Sequence, residues 1–293
     1  MAIRDKAVDA EFREVGPEKL GADMLREEKL EPILDGILDR YGYDFRDYAR
    51  PSLDRRIKAF MKSEEIPSLG GFKERILAAQ ECMQRFLLTM SVSVTSMFRD
   101  PEFYVGFRRD IIPVLRTYPF IRIWHAGCST GQEVYSMAIL LAEEGLYDRC
   151  RIYATDMDES ALRKARDGIF SLQAMRKYTA NYIQAEGKKS FSDYYTAKYN
   201  SAIVNSSLRK NIVFGHHNLV SDGSFNEFQV IFCRNVLIFF NSRLQERVLE
   251  LIHQSLGMFG YLGLGAKESV SLGGYEGCFQ ELDAKHRLYR KIA

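Results

Sequence analysis

The feature that most restricts the fold is the stretch Ile121-Arg-Ile-Trp-His-Ala-Gly127-Cys-Ser129-Thr-Gly131-Gln-Glu133. It reads as an apolar strand, a tight turn of small residues and the start of a helix. Short β-branched runs then alternate with helical stretches. Runs at 121–125, 151–155, 212–214, 230–233 and 261–264 are interleaved with helices starting at Gln132, Glu159 and Ser242. Such alternation predicts an α/β domain, a parallel sheet with helices on both faces. A last run at 287–292 is expected to add an edge strand. The second and third strands are roughly 55 residues apart, more than a simple crossover uses. The excess is polar and rich in tyrosine (Tyr178, Tyr182, Tyr194, Tyr195, Tyr199), which predicts an inserted subdomain without a clear hairpin signal.

Upstream, the pattern is helical. Leu30, Ile33, Leu34, Ile37, Leu38 and Tyr41 form one apolar stripe, and Leu53, Ile57, Phe60 and Met61 a second. Gly70-Gly71 interrupts before a third helix over about 72–88. The segment 91–99 reads as extended. Asp100-Pro101-Glu102 then supplies an N-cap, a proline at the first helical position and an acid in the first turn, which start a new helix. The expected organisation is a flexible segment at 1–22, a helical domain at 23–90, and an α/β domain at 91–293 with its insert at about 171–210.

A length of 293 residues suits two domains. The apolar run at 230–240 is broken by Arg234 and Asn235, well short of a membrane span. The first residues carry charges throughout and resemble no secretory leader, so the expected location is cytoplasmic. A net charge of +2 argues against a nucleic-acid binder. Five unevenly spaced cysteines fit neither a disulfide framework nor a zinc pattern. His216 and His217 lack acidic or cysteine companions at ligand spacing, so no metal is expected.

Three ligands suit the turn at 127–131, because α/β sheets bind at strand C-termini against a helix N-terminus. A dinucleotide fails the G-x-G-x-x-G spacing, since Ser129 and Gln132 occupy the second and third glycine positions, and Glu133 would repel a pyrophosphate. Gly127-Cys-Ser129-Thr-Gly131 matches the nucleophile elbow of α/β-hydrolases. That elbow normally follows several strands, however, and only His253 and His286 remain downstream as its histidine. S-Adenosylmethionine carries a sulfonium and an ammonium, which an anionic Glu133 favours. Asp156, at the end of the second strand, suits ribose hydroxyls, with Asp158 left to cap the next helix.

Thr95-Ser-Met-Phe98-Arg99, Ala126-Gly-Cys-Ser-Thr-Gly-Gln-Glu133, Ala154-Thr-Asp-Met-Asp158, His217-Asn218-Leu219 and Phe232-Cys-Arg-Asn-Val-Leu-Ile-Phe-Phe240 resemble, in order, the motifs of CheR-type chemotaxis receptor methyltransferases. The resemblance runs from about Leu30 to the C-terminus. It implies a Rossmann-like class I S-adenosylmethionine methyltransferase sheet with a small all-α N-terminal domain and a three-stranded inserted subdomain. It also implies methyl transfer from S-adenosyl-L-methionine to glutamates in the cytoplasmic domain of a chemoreceptor. Position by position, the implied cofactor contacts are Ser93, Thr95, Arg99, Glu133, Asp156, Asn218, Leu219, Arg234 and Asn235. Ser93, Met97, Val134 and Phe239 stand where members commonly have Asn, Phe, Pro and Tyr. Without that tyrosine, any contribution of its hydroxyl is absent or comes from another residue.

An ionised glutamate needs no general base, so alignment and desolvation suffice for the transfer. Arg99 is the expected catalytic residue; its fork suits either the cofactor's carboxylate or the substrate glutamate. Residues 46–62 hold six basic side chains against two acidic ones. Arg55, Arg56, Lys58 and Lys62 are expected on the helix face opposite Leu53, Ile57, Phe60 and Met61, as a surface for an acidic receptor helix. A monomer without membrane insertion is expected. A catalytically weak scaffold that binds cofactor or receptor is the alternative. A DNA amino-methyltransferase is disfavoured by the missing N/D-P-P-Y/F tetrad.

Overall fold

Helical apolar spacing organises the first part of the chain. The computed structural model describes residues 27–90 and 95–293. Helices α1 (Glu27–Tyr41), α2 (Arg50–Ser63), α3 (Leu69–Ala78) and α4 (Gln80–Met90) form the N-terminal unit. The third expected helix is in fact two. Ala79 adopts an extended conformation (φ −130°, ψ 124°) between α3 and α4. In one straight helix Phe72 and Phe86 would stand about 21 Å apart along the axis. With the break their ring centroids are 5.4 Å apart, and both meet Phe60 edge-on. Residues 1–22, expected to be flexible, and Ser93 lie outside the described residues.

The second unit starts with α5 (Pro101–Asp110) and α6 (Ile112–Leu115). It continues through β1 (Ile121–Ala126), α7 (Gln132–Glu143), β2 (Cys150–Asp156) and α8 (Glu159–Asp167). Next come β3 (Ile169–Ser171), α9 (Leu172–Gln184), β4 (Tyr195–Lys198) and β5 (Ser201–Val204). The chain closes with β6 (Ile212–His216), β7 (Phe228–Cys233), α10 (Ser242–Ser255), β8 (Leu256–Leu264), β9 (Phe279–Asp283) and β10 (Leu288–Lys291). Seven strands form one sheet in the order β6-β2-β1-β7-β8-β10-β9. The first five are parallel, and β10 is antiparallel to both its neighbours. The run at 287–292 is therefore not the edge. β9 takes that place, hidden in the sequence by its charged residues Glu281 and Asp283. Strand order reverses between β1 and β7, so the C-terminal ends of β2, β1 and β7 flank the switch point where α/β folds bind ligands.

The insert is a second sheet, β3-β5-β4, with β4 and β5 joined at Tyr199-Asn200. Tyr199 turns the hairpin at φ +52°, a conformation no Gly or Asn-Gly pair announces. Most of the tyrosines prove structural. Tyr178, Tyr182 and Tyr194 are buried, and the last two donate to the Glu143 carboxylate, which also pairs with Arg108 of α5.

One continuous hydrophobic core links the N-terminal helices to Trp124, Phe228 and the inner face of α10. The join is also hydrogen-bonded: the Ala49 amide donates to Phe239 O (2.8 Å) and the Asn241 amide to Asp47 O (2.9 Å). Tyr48 and Phe240 form an antiparallel bridge between these donors. The residues after β7 are thereby tied to those before α2. Among the described residues, no helix is long and apolar enough to cross a membrane.

Candidate active site

The turn after β1 is built by backbone geometry. Gly127 (φ +73°) lies so close to Val236 that a Cβ would stand 2.6 Å from Cγ2, and the amides of Gly127 and Cys128 both donate to Thr155 O at 2.9 Å. Four non-glycine residues around the strand ends are left-handed: Phe98, Asp100, Ser129 and Asn235. Such backbone costs free energy and clusters at functional sites.

The turn lines a cavity of about 110 Å³ that is partly open to solvent. Gly127, Ser129, Asp156 and Met157 form one wall, and Asn218, Leu219 and Val220 another. Asn235, Val236, Phe239 and Phe240 come from the loop after β7. Tyr48, Arg56 and Met90 close the cavity from the N-terminal unit.

Asp156 receives the Ser129 amide on Oδ2 (2.8 Å) and the Asp158 amide on Oδ1 (3.0 Å). Burial raises its pKa above the ordinary value against the opposing pull of these amides. Asp158 caps α8, accepting from the amides of Ser160 and Ala161. The Asn218 side chain fixes its own loop by accepting the Val220 amide (3.0 Å), leaving Leu219 and Val220 as the apolar surface.

An ion network centred on buried Arg234 lies beside the cavity. Glu133 receives Arg234 on Oε2 (2.9 Å) and contacts His125 Nδ1 through Oε1 (2.9 Å). Arg234 also donates to Asp100 Oδ2 (2.8 Å) and stacks over Phe103 at 4.0 Å. Burial would raise the Glu133 pKa, but His125 and Arg234 outweigh it and keep the carboxylate ionised. Asp100 starts α5 as the sequence suggests but does not cap it with its side chain, because that carboxylate is turned to Arg234.

The implied cofactor residues thus divide. Asp156, Asn218, Leu219 and Asn235 line the cavity. Glu133 and Arg234 belong to the ion network, as does Arg99, whose carbonyl accepts from Arg234. Thr95 is half-buried and, with Arg99, Glu133 and Arg234, is not among the described wall residues. Arg55, Lys58 and Lys62 are exposed. Arg56 is not on that face: it is only 4% exposed, lies 4.1 Å over the Phe239 ring and faces the cavity. The register of α2 turns it inward once the loop ahead of the helix docks on residues 239–241.

Sequence reasoning also missed Glu268. This buried carboxylate accepts from the amides of Asn235 (2.8 Å), Gly265 (2.6 Å) and Ile238 (3.3 Å), holding the loop after β7 in place. Burial raises its pKa despite these donors. The available signal was an acid closing Gly265-Ala-Lys-Glu268 behind a buried strand, which requires partners. The hydrolase reading does not survive. Among the described residues Ser129 Oγ has no hydrogen-bond partner, while His253 and His286 bond Ala293 and Asp283 instead.

The donor set fits the nucleoside of S-adenosylmethionine, with a carboxylate beside the glycine turn for ribose and an apolar slot for a base, whereas Glu133, expected to favour the cofactor's cationic group, is engaged by Arg234 and His125 instead. Comparison with known proteins agrees. The family model for the SAM-binding domain of CheR methyltransferases matches residues 93–288, and that for their all-α domain matches 28–91. A Pseudomonas putida protein called Cher3, a methyltransferase by designation, is 45% identical over 259 residues, covering 88% of this chain and 95% of its own. Chemotaxis protein methyltransferase 1 of Pseudomonas aeruginosa is 29% identical, covering 74% and 81%. The chemotaxis protein methyltransferase of Salmonella typhimurium is 27% identical, covering 80% and 81%. With both domains matched in order and the strand ends furnished for its cofactor, the chain belongs to the CheR family of S-adenosylmethionine-dependent methyltransferases.

Proposed function

We propose that this protein methylates glutamate side chains in the cytoplasmic domain of a chemotaxis receptor, forming glutamyl methyl esters. The observation that carries the reading is Arg56. Its Nε and both terminal nitrogens are buried, and among the described residues they have no hydrogen-bond partner. A buried, unpaired guanidinium is costly to the fold and calls for an anion from outside. A substrate carboxylate at this end of the cavity would meet that need, with Asp156, Asn218 and Leu219 taking the nucleoside at the other end. S-Adenosylmethionine supplies an electrophilic methyl group whose bond to sulfur breaks as a carboxylate oxygen bonds to carbon, with no proton to move. Arg56 and the apolar walls orient that oxygen and keep water out. Buried Arg234, paired with Glu133, holds the adjoining segment at Arg99, whose side chain remains a candidate for either carboxylate.

Outside, Arg55, Lys58 and Lys62 lie exposed along α2 and form no ion pair among the described residues. Arg46 and Arg50, by contrast, are engaged by Asp44 and Asp54. The remaining basic face suits an acidic receptor helix. The relatives named as chemotaxis methyltransferases support the same assignment. The test pairs radiolabelled methyl transfer onto receptor membranes with calorimetric titration of S-adenosylhomocysteine. Binding together with base-labile label on receptor supports the proposal. Binding without label supports a scaffold instead.

A further inference from the structure

Tyr48 adjoins Arg56 in the cavity wall, and its ring is held on two sides. Phe45 and Phe240 both meet it edge-on at 5.1 Å, and the backbone bridge to Phe240 fixes its position along the chain. Tyr48 is 7% exposed, and its hydroxyl has one partner among the described residues, the Met157 thioether at 3.6 Å. A thioether is a weak acceptor, whereas buried phenols ordinarily find a strong one. Burial pushes this phenol's pKa well up despite the nearby Arg56 charge, so the hydroxyl keeps its proton at neutral pH. Phe239, the ring stacked over Arg56, offers no polar atom. This end of the cavity therefore presents two donors, a guanidinium and a phenol, without a strong acceptor for either.

We infer that Tyr48 is a substrate-positioning residue whose hydroxyl donates a hydrogen bond to the carboxylate received by Arg56. The inference rests on the reading that this end of the cavity takes a glutamate side chain. Two donors from different directions hold a carboxylate in one orientation and leave a lone pair of the attacking oxygen for the methyl carbon. They also select against an amide, whose NH2 group would face a donor.

The test is Tyr48→Phe, which removes the hydroxyl and keeps the ring packing. The melting temperature should stay within about 2 °C of wild type and S-adenosylhomocysteine affinity within about twofold, while kcat/KM on receptor membranes falls about 10- to 100-fold, as for a lost charge-assisted hydrogen bond. A second readout needs no turnover. With tyrosines labelled with carbon-13 at Cζ and the protein saturated with S-adenosylhomocysteine, the resonance missing from Tyr48→Phe should shift when glutarate is added. Unchanged kcat/KM, loss of S-adenosylhomocysteine affinity, or an unmoved resonance at glutarate concentrations that inhibit methyl transfer overturns the inference. If Arg56→Met impairs methylation and Tyr48→Phe does not, Tyr48 alone is wrongly assigned. If neither variant affects methylation, the carboxylate reading of the cavity fails as well.

Discussion

Replacing Arg56 by methionine should make the protein more stable and less active at once. Arg56 is 4% exposed, and burial lowers its pKa to about 10. At 1.36 kcal/mol per unit, the drop from the ordinary guanidinium value corresponds to roughly 3 kcal/mol against the charged form. The Phe239 face returns about 1–2 kcal/mol. A net cost of about 1–2 kcal/mol remains, which an apolar side chain of similar length does not carry. Calorimetry near neutral pH should show the melting temperature of Arg56→Met raised by about 2–8 °C. The sign follows from the depressed pKa of a base: the cost is full below about 10 and fades as pH rises through it, so the gap between variant and wild type narrows there. Activity should move the other way. A desolvated substrate carboxylate without its cation loses about 2–4 kcal/mol, lowering kcat/KM on receptor by about 30- to 1000-fold while S-adenosylhomocysteine affinity stays nearly constant. A lower melting temperature would refute the claim that this charge lacks a partner, and unchanged kcat/KM would refute its role toward substrate.

Asp156→Ala should weaken S-adenosylhomocysteine binding by about 1.5–3 kcal/mol for each ribose hydrogen bond lost, measured by titration calorimetry; unchanged affinity would remove Asp156 from the ribose. In the wild type the same affinity should fall on acidification, starting at a pH above the usual carboxylate range of about 4, because burial raises the Asp156 pKa and the ionised form is the acceptor. Glu268→Ala leaves three amides without their acceptor and should cost about 2–4 kcal/mol of stability by denaturant titration; a loss under about 0.5 kcal/mol would show that the loop at Asn235 holds itself. Reversing Arg55 and Lys58 to Glu should raise KM for receptor and flatten its salt dependence with cofactor affinity unchanged; an unaltered salt profile would return this face of α2 to ordinary solvated surface.

What could be read in the sequence was whatever depends on local pattern. The apolar runs of β1, β2, β6 and β7 and the glycine turn located the strand ends, and with them Asp156, Asn218 and Asn235. Pattern misled where tertiary contact decides. The amphipathic stripe of α2 correctly buried Leu53, Ile57 and Phe60, but it could not show that Arg56 also turns inward, because that depends on the loop before α2 docking on residues 239–241. Tyr48 and Met90 were missed for the same reason: they reach the cavity only through the packing of one unit on the other. β9 went unseen because an edge strand needs one neighbour and tolerates charges. β10 drew attention through Leu288 and Tyr289, both fully buried between two partners.

The central claim, methyl transfer to receptor glutamates, is tested most directly by mass spectrometry of a chemoreceptor cytoplasmic domain after incubation with this protein and S-adenosylmethionine. The prediction is a mass increase of one methylene on specific glutamate peptides, removed by mild base and strongly reduced with Arg56→Met. Unmodified glutamates in the presence of a protein that still binds S-adenosylhomocysteine would contradict it.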